Sequence, residues 1–135
     1  NVTDGEVSVL FKPVAGKEDQ AAGLVWRYRD PNNYYLVRAN ALENNIAIYR
    51  VQDGKPIPLT PKRRRAGSSG GKRAVPANEW STLKVAFKGS LFDIYFNHRR
   101  VFKVEDSTFR GPGKVGLWTK ADSVTYFDNF RVVQK

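Results

Sequence analysis

The chain has 135 residues, 41% of them hydrophobic, with no cysteine and a net charge of +10. That is enough for one domain with a real core and too apolar for a disordered chain. Disulfides and thiolate metal sites are excluded, and no apolar run approaches the ~20 residues of a membrane-spanning helix. The chain does not open on Met, which suggests processing that removed a targeting segment.

The pattern predicts β-structure nearly throughout. Val7, Val9 and Phe11 alternate with Glu6, Ser8 and Lys12, the period-two pattern of a half-buried strand. A second strand is expected over residues 23–29, ended by a turn at Asp30-Pro31-Asn32-Asn33. Pro presets φ in such a turn, and Asn tolerates the left-handed region. Residues 34–41 and 46–51 follow as strands, separated by a polar turn, and Asp53-Gly54 signals a hairpin. Beyond it lie predicted strands over 80–88, 91–96, 101–104, 115–119 and 124–133. Gly89-Ser90, Asn97-His98, residues 110–113 and residues 121–123 connect them. Asn and His both tolerate positive φ, so His98, the single histidine, reads as a hairpin residue. About ten strands at roughly 8–12-residue spacing predict an all-β, two-sheet antiparallel sandwich. Eight Phe and three Trp would fill its core.

Five blocks then resemble a known family. They are AGLVWRYRDPNNYYLVRAN (22–40), PANEWSTLKV (76–85), FDIYFNHRRVF (92–102), GKVGLWT (113–119) and YFDNFRV (126–132). In this order they resemble concanavalin-A-like, laminin-G-like jelly-roll domains. The nearest are bacterial exported domains of the 3-keto-disaccharide hydrolase group and neighbouring glucanase-like or sugar-binding domains. The resemblance implies a single jelly-roll domain over 1–135, secreted or periplasmic, that lacks further N-terminal strands seen in the family. In this chain Asn97-His98 stands where the family has an Asn-Gly turn. The fold hosts lectins, hydrolases and plain interaction modules, so activity has to be argued from residues.

Retaining glucanases of this fold carry carboxylates at alternate positions, E-x-D-x-E, and no stretch here has that pattern. Glu105 and Asp106 are adjacent, so on a strand they would point to opposite faces. The strand over 34–40 is more informative. Tyr35, Val37 and Ala39 form an apolar face, whereas Tyr34, Leu36, Arg38 and Asn40 form the other. On the strand before it, alternation places Trp26 with Tyr28, and Arg27 with Arg29. Sugar rings stack on aromatic faces, and their hydroxyls pair with guanidinium and amide groups. The expected ligand set on a concave sheet face is therefore Arg38, Asn40, Tyr49, Trp118, Lys120 and Arg27. The competing reading puts Trp26 and Trp118 in the inter-sheet core and leaves Arg38 and Asn40 solvated.

No cofactor is expected. Asp128 interrupts the last apolar strand and could contribute to a structural calcium, although a lone carboxylate more often satisfies backbone groups at a bulge. The stretch PKRRRAGSSGGKRAVP (61–76) concentrates the charge: without Lys62, Arg63, Arg64, Arg65, Lys72 and Arg73, 17 basic residues face 13 acidic ones. It reads as a loop between strands, with a Gly/Ser centre of linker composition. A second reading is a contact with an acidic glycan or anionic surface. Nucleic acid is disfavoured because no aromatic is interleaved with the charge. Carbohydrate binding is the leading expectation. The alternatives are a hydrolase or lyase of the 3-keto-disaccharide type, with no nameable base, and a non-catalytic module contacting polyanions through the loop.

Overall fold

The computed structural model describes residues 1–18, 20–62, 70–72 (backbone only), 74–120 and 122–135. Its strands are β1 (Gly5–Ala15), β2 (Ala21–Asp30), β3 (Asn33–Asn40), β4 (Asn45–Gln52), β5 (Lys55–Pro58) and β6 (Gly70–Lys72). They continue as β7 (Ser81–Lys88), β8 (Leu91–Phe96), β9 (Arg99–Glu105), β10 (Lys114–Trp118) and β11 (Val124–Gln134). One sheet has the order β11-β1-β7-β8-β9; the other runs β10-β2-β3-β4-β5, with β6 also pairing to β4. Every pairing is antiparallel, and the two sheets close on a single core.

The alternation read in the sequence sets which side chains enter that core. Val7, Val9 and Phe11 from β1 meet Leu24, Trp26, Tyr35, Val37 and Ile48 from the second sheet. Trp26 lies at the centre, stacked on Tyr35 (5.6 Å) and edge-on to Phe92 (5.3 Å). Each large side chain buried this way stabilises by roughly 2–3 kcal/mol relative to exposure. The aromatic residues are not all inside: Trp80 is 47% exposed, Phe130 is 42% exposed, and Trp118 lies on the outer face of the second sheet. The turns carry the expected chemistry. Asn97 and His98 have φ of 50° and 70°, and Asp53 and Gly54 have 51° and 77°, the left-handed pairs of type I′ hairpins.

Two features depart from the sequence expectation. First, alternation fails in β2. Trp26 pairs with Tyr35 and Asp30 with Asn33, so three residues on β2 face one on β3. Arg27 sits in this bulge with φ 48°. The extra residues reverse the faces: Arg27 turns inward and Tyr28 turns out to stack on Tyr34 at 5.4 Å. Gly113 makes room for the bulge, because a Cβ there would lie 2.5 Å from the Arg27 backbone. Second, β6 forms a strand inside the stretch read as a loop, while β5 is the partner that the Asp53-Gly54 hairpin signal calls for. Pro-rich and Gly-rich segments carry no alternation to read, but their backbones complete the open edge of β4.

Candidate functional site

The outer face of the second sheet holds a cleft of about 350 Å³, within the ordinary size of ligand pockets. Register explains its composition. Trp118 pairs with Gly23, Gly23 with Arg38, and Arg38 with Ala47, giving one row across four strands. The next row contains Val25, Leu36, Tyr49 and Pro58. Two residues in the first row are small, so the indole of Trp118 lies down across β2. A Cβ on Gly23 would meet Trp118 Cε3 at 3.1 Å, Leu36 Cδ1 at 3.0 Å and the Val37 carbonyl oxygen at 2.8 Å. Gly23 is thus a requirement of the cleft floor.

Arg38 stands inside the cleft. Its guanidinium carbon is 5.3 Å from the centroid of Tyr49, and its Nη2 donates to Glu43 Oε2 at 3.5 Å. Its Nε–H is buried and has no hydrogen-bond partner. Leaving such a donor unpaired costs about 1–3 kcal/mol. Tyr34 closes one end of the cleft. Burial first, and then the neighbouring Tyr28, push its phenol pKa up, and a hydrogen bond to Trp118 pulls the other way. Its hydroxyl therefore stays protonated and remains a donor over the neutral range.

The structure brings four of the six expected ligand residues together: Arg38, Tyr49, Trp118 and Lys120 line this cleft. Asn40 does not join them. It is fully buried, and its Oδ1 accepts the N–H groups of Leu42 (3.0 Å) and Glu43 (3.4 Å). Its role is to shape the turn that holds Glu43 beside Arg38. Arg27 lies at the end of the core, 1% exposed, donating to the carbonyls of Thr3 (3.1 Å) and Phe109 (3.2 Å) and paired with Asp4. It is a structural cation, and the reason it was misplaced is the bulge. Sequence reasoning missed Gly54 and Pro56 as cleft residues, which line the far wall from the hairpin to β5, and the floor glycine Gly23. Tyr34 and Leu36 were on the correct face by alternation but outside the expected set.

The remaining sequence candidates lie elsewhere. Lys62 is exposed; its N–H donates to the Lys103 carbonyl and its Nζ is 3.5 Å from Glu105 Oε1. Lys72 pairs through its backbone with Asn45 as part of β6. Arg63, Arg64, Arg65 and Arg73 fall outside the described residues. Asp128 is exposed at a bulge opposite β1, and its Oδ1 accepts the Asn129 N–H at 2.8 Å. Among the described residues no group of three His, Asp or Glu side chains could hold a metal ion. Among the described residues the cleft lining contains no carboxylate, and the nearby Glu43 is engaged by Arg38.

The architecture is shared with solved structures of several kinds. The carbohydrate-binding module CBM66 from Bacillus subtilis matches with a TM-score of 0.81 at 23% identity, over 98% of this chain and 76% of that one. A tetrameric galectin from the ball sponge Cinachyrella matches at 0.68 and 14% identity, over 97% and 92% of the two chains. The β-glucanase of Bacillus licheniformis matches at 0.65 and 12% identity, over 98% and 67%. The chain is therefore a jelly-roll sandwich of the concanavalin A-like class. At these identities the likeness concerns the fold. No family model and no curated protein matches the sequence.

Proposed function

We propose that this domain binds carbohydrate in the cleft on the outer face of its second sheet. The observation that carries the reading is the company Arg38 keeps. A guanidinium with an unpaired, buried Nε–H stands between Trp118 and Tyr49, in a cleft whose floor is otherwise apolar. An aromatic platform beside a directed donor is what a sugar needs, with its apolar ring face and its hydroxyl edge. Lys120 would add a second donor at the rim. The structural neighbours include a carbohydrate-binding module, which supports the same reading. An extracellular or periplasmic setting is part of the proposal and rests on the glycan reading alone.

The test is calorimetric titration with a panel of neutral mono- and disaccharides. Binding is expected, and Trp118→Ala or Arg38→Ala should weaken it tenfold or more, about 1.4 kcal/mol. A folded protein that binds no member of the panel overturns the reading. Turnover of a 3-keto-glucoside would instead establish the hydrolase alternative, for which glycoside cleavage by paired carboxylates finds no pair in the described cleft.

A further inference from the structure

The opposite face of the molecule, the outer surface of the first sheet, carries a second and larger concavity of about 610 Å³. Register again defines it. Arg131 pairs with Ser8, Ser8 with Lys84 and Lys84 with Tyr95 along the concavity, and across a register irregularity between β8 and β9 the row continues from Tyr95 to Arg100 beyond its lining. Cations therefore stand on β11, β7 and β9, every second strand, roughly 10 Å apart at the usual inter-strand spacing. Between them lie a hydroxyl and an aromatic ring. The Lys84 ammonium sits 4.3 Å from the Tyr95 ring centroid, which fixes its position.

The adjacent row explains how the charges are held. Glu6 receives Lys84 at 3.1 Å and Lys135 at 2.6 Å, and Asp93 receives Arg100 at 3.6 Å. Each carboxylate thus orients a cation of the first row without neutralising the face. Arg131 has no ion pair among the described residues, and Lys103 follows Asp93 in the second row. This surface is distinct from the cleft, being on the other sheet, and it does not depend on the loop over residues 61–76.

We propose that this row is a binding site for a linear acidic glycan, sulfated or uronate-bearing. Its anionic groups would meet Arg131, Lys84 and Arg100 in turn, and its hydroxyls would meet Ser8 and Thr82 between them. A glycan is favoured over single-stranded nucleic acid because the row offers one ring, already covered by Lys84, where base stacking calls for successive open aromatics. Long, spaced cations without stacking platforms suit a polymer that carries charge at intervals along a hydroxyl-rich chain.

The probe is a heparin-derived octasaccharide, titrated at two salt concentrations against the full chain, against K84Q/R100Q/R131Q, and against R63Q/R64Q/R65Q in the loop. The face variant should lose tenfold or more in affinity, and its log K against log salt slope should fall by roughly one per cation removed. Thermal melting checks that it is folded, and R131Q alone, at an exposed edge, supplies a milder second variant with a smaller loss in the same direction. Trp118→Ala should leave octasaccharide binding unchanged, so failure of the neutral-sugar reading and failure of this one are separable. Undiminished binding by the folded face variant overturns the proposal, as does loss confined to the loop variant. Equal affinity for a single-stranded oligonucleotide of the same charge overturns the glycan assignment.

Discussion

Arg27 and Gly23 lie four residues apart on one strand and show how a single position is decided by its surroundings. Arg27 is charged, yet its guanidinium lies near the rings of Phe87 and Phe92, at 5.7 and 5.5 Å, and donates to two backbone carbonyls. Removing it takes the donor from the buried Phe109 carbonyl and the cation from the Thr3 carbonyl and the Asp4 carboxylate, which keeps the Gly89 N–H. Arg27→Ala should cost about 3 kcal/mol or more, read as a lowered urea midpoint with sugar binding preserved in the fraction that folds. Gly23 acts through absence. Gly23→Ala forces a methyl against the Val37 carbonyl and the Trp118 indole. We expect about 1–3 kcal/mol of destabilisation, and weaker sugar binding because the indole can no longer lie flat. Near-UV circular dichroism would report the displaced tryptophan.

At the scale of elements, the hairpins are where local chemistry and fold agree most closely. Asn97 is well used: its side-chain Oδ1 accepts the Thr82 N–H at 2.8 Å and its own N–H donates to the Thr82 carbonyl at 2.8 Å. His98 holds φ 70° against the preference of a residue with a Cβ. His98→Gly should therefore stabilise by about 0.5–1 kcal/mol, after allowing for the added freedom of the unfolded chain, and raise the melting temperature by a few degrees. β5 and β6 teach the opposite lesson. Lys55–Pro58 and Gly70–Lys72 have little strand propensity, and they are strands because β4 offers an open edge at Tyr49–Gln52 and at Asn45–Ala47. Part of the basic stretch is thereby returned to the sheet that carries the cleft.

At the scale of the whole molecule, a polar clasp built on Asp106 joins the two sheets. Asp106, just beyond β9 of the first sheet, accepts from the Tyr35 hydroxyl of β3 and from Arg50 of β4, both at 2.5 Å. The Phe109 N–H donates to the same tyrosine oxygen at 3.1 Å, tying down the chain that leads to β10. Burial works to raise the Asp106 pKa, but hydrogen bonds from Tyr35 and Thr108 and the Arg50 charge outweigh it, so the carboxyl lies below its ordinary value. The Glu6 carboxyl is lowered as well, by hydrogen bonds from Lys135 and then Lys84. A depressed carboxyl stabilises the fold fully above its unfolded pKa, about pH 4, and loses that contribution as pH falls through its folded value. Stability should hold through neutral pH and decline below about pH 4. Asp106→Asn should be less stable at pH 7 and show a shallower acid limb, measured as urea midpoints between pH 3 and 7.

Alternation and turn residues were sufficient to determine the class of this protein, because period two fixes which face of a strand is buried and left-handed pairs fix where strands reverse. They placed Tyr35, Val37 and Ala39 in the core and Tyr34, Leu36 and Arg38 on the cleft face. They failed at Arg27, where two extra residues in one strand invert the pattern with no marker in composition. They also failed at Asn40, whose amide serves its own turn. Only the tertiary structure decided which side chains meet across strands. Trp118 and Arg38, distant in sequence, become neighbours because β10, β2 and β3 pair in one register and Gly23 between them has no side chain. Cross-strand register is set by the sum of core packing and turn lengths, a property no single segment carries.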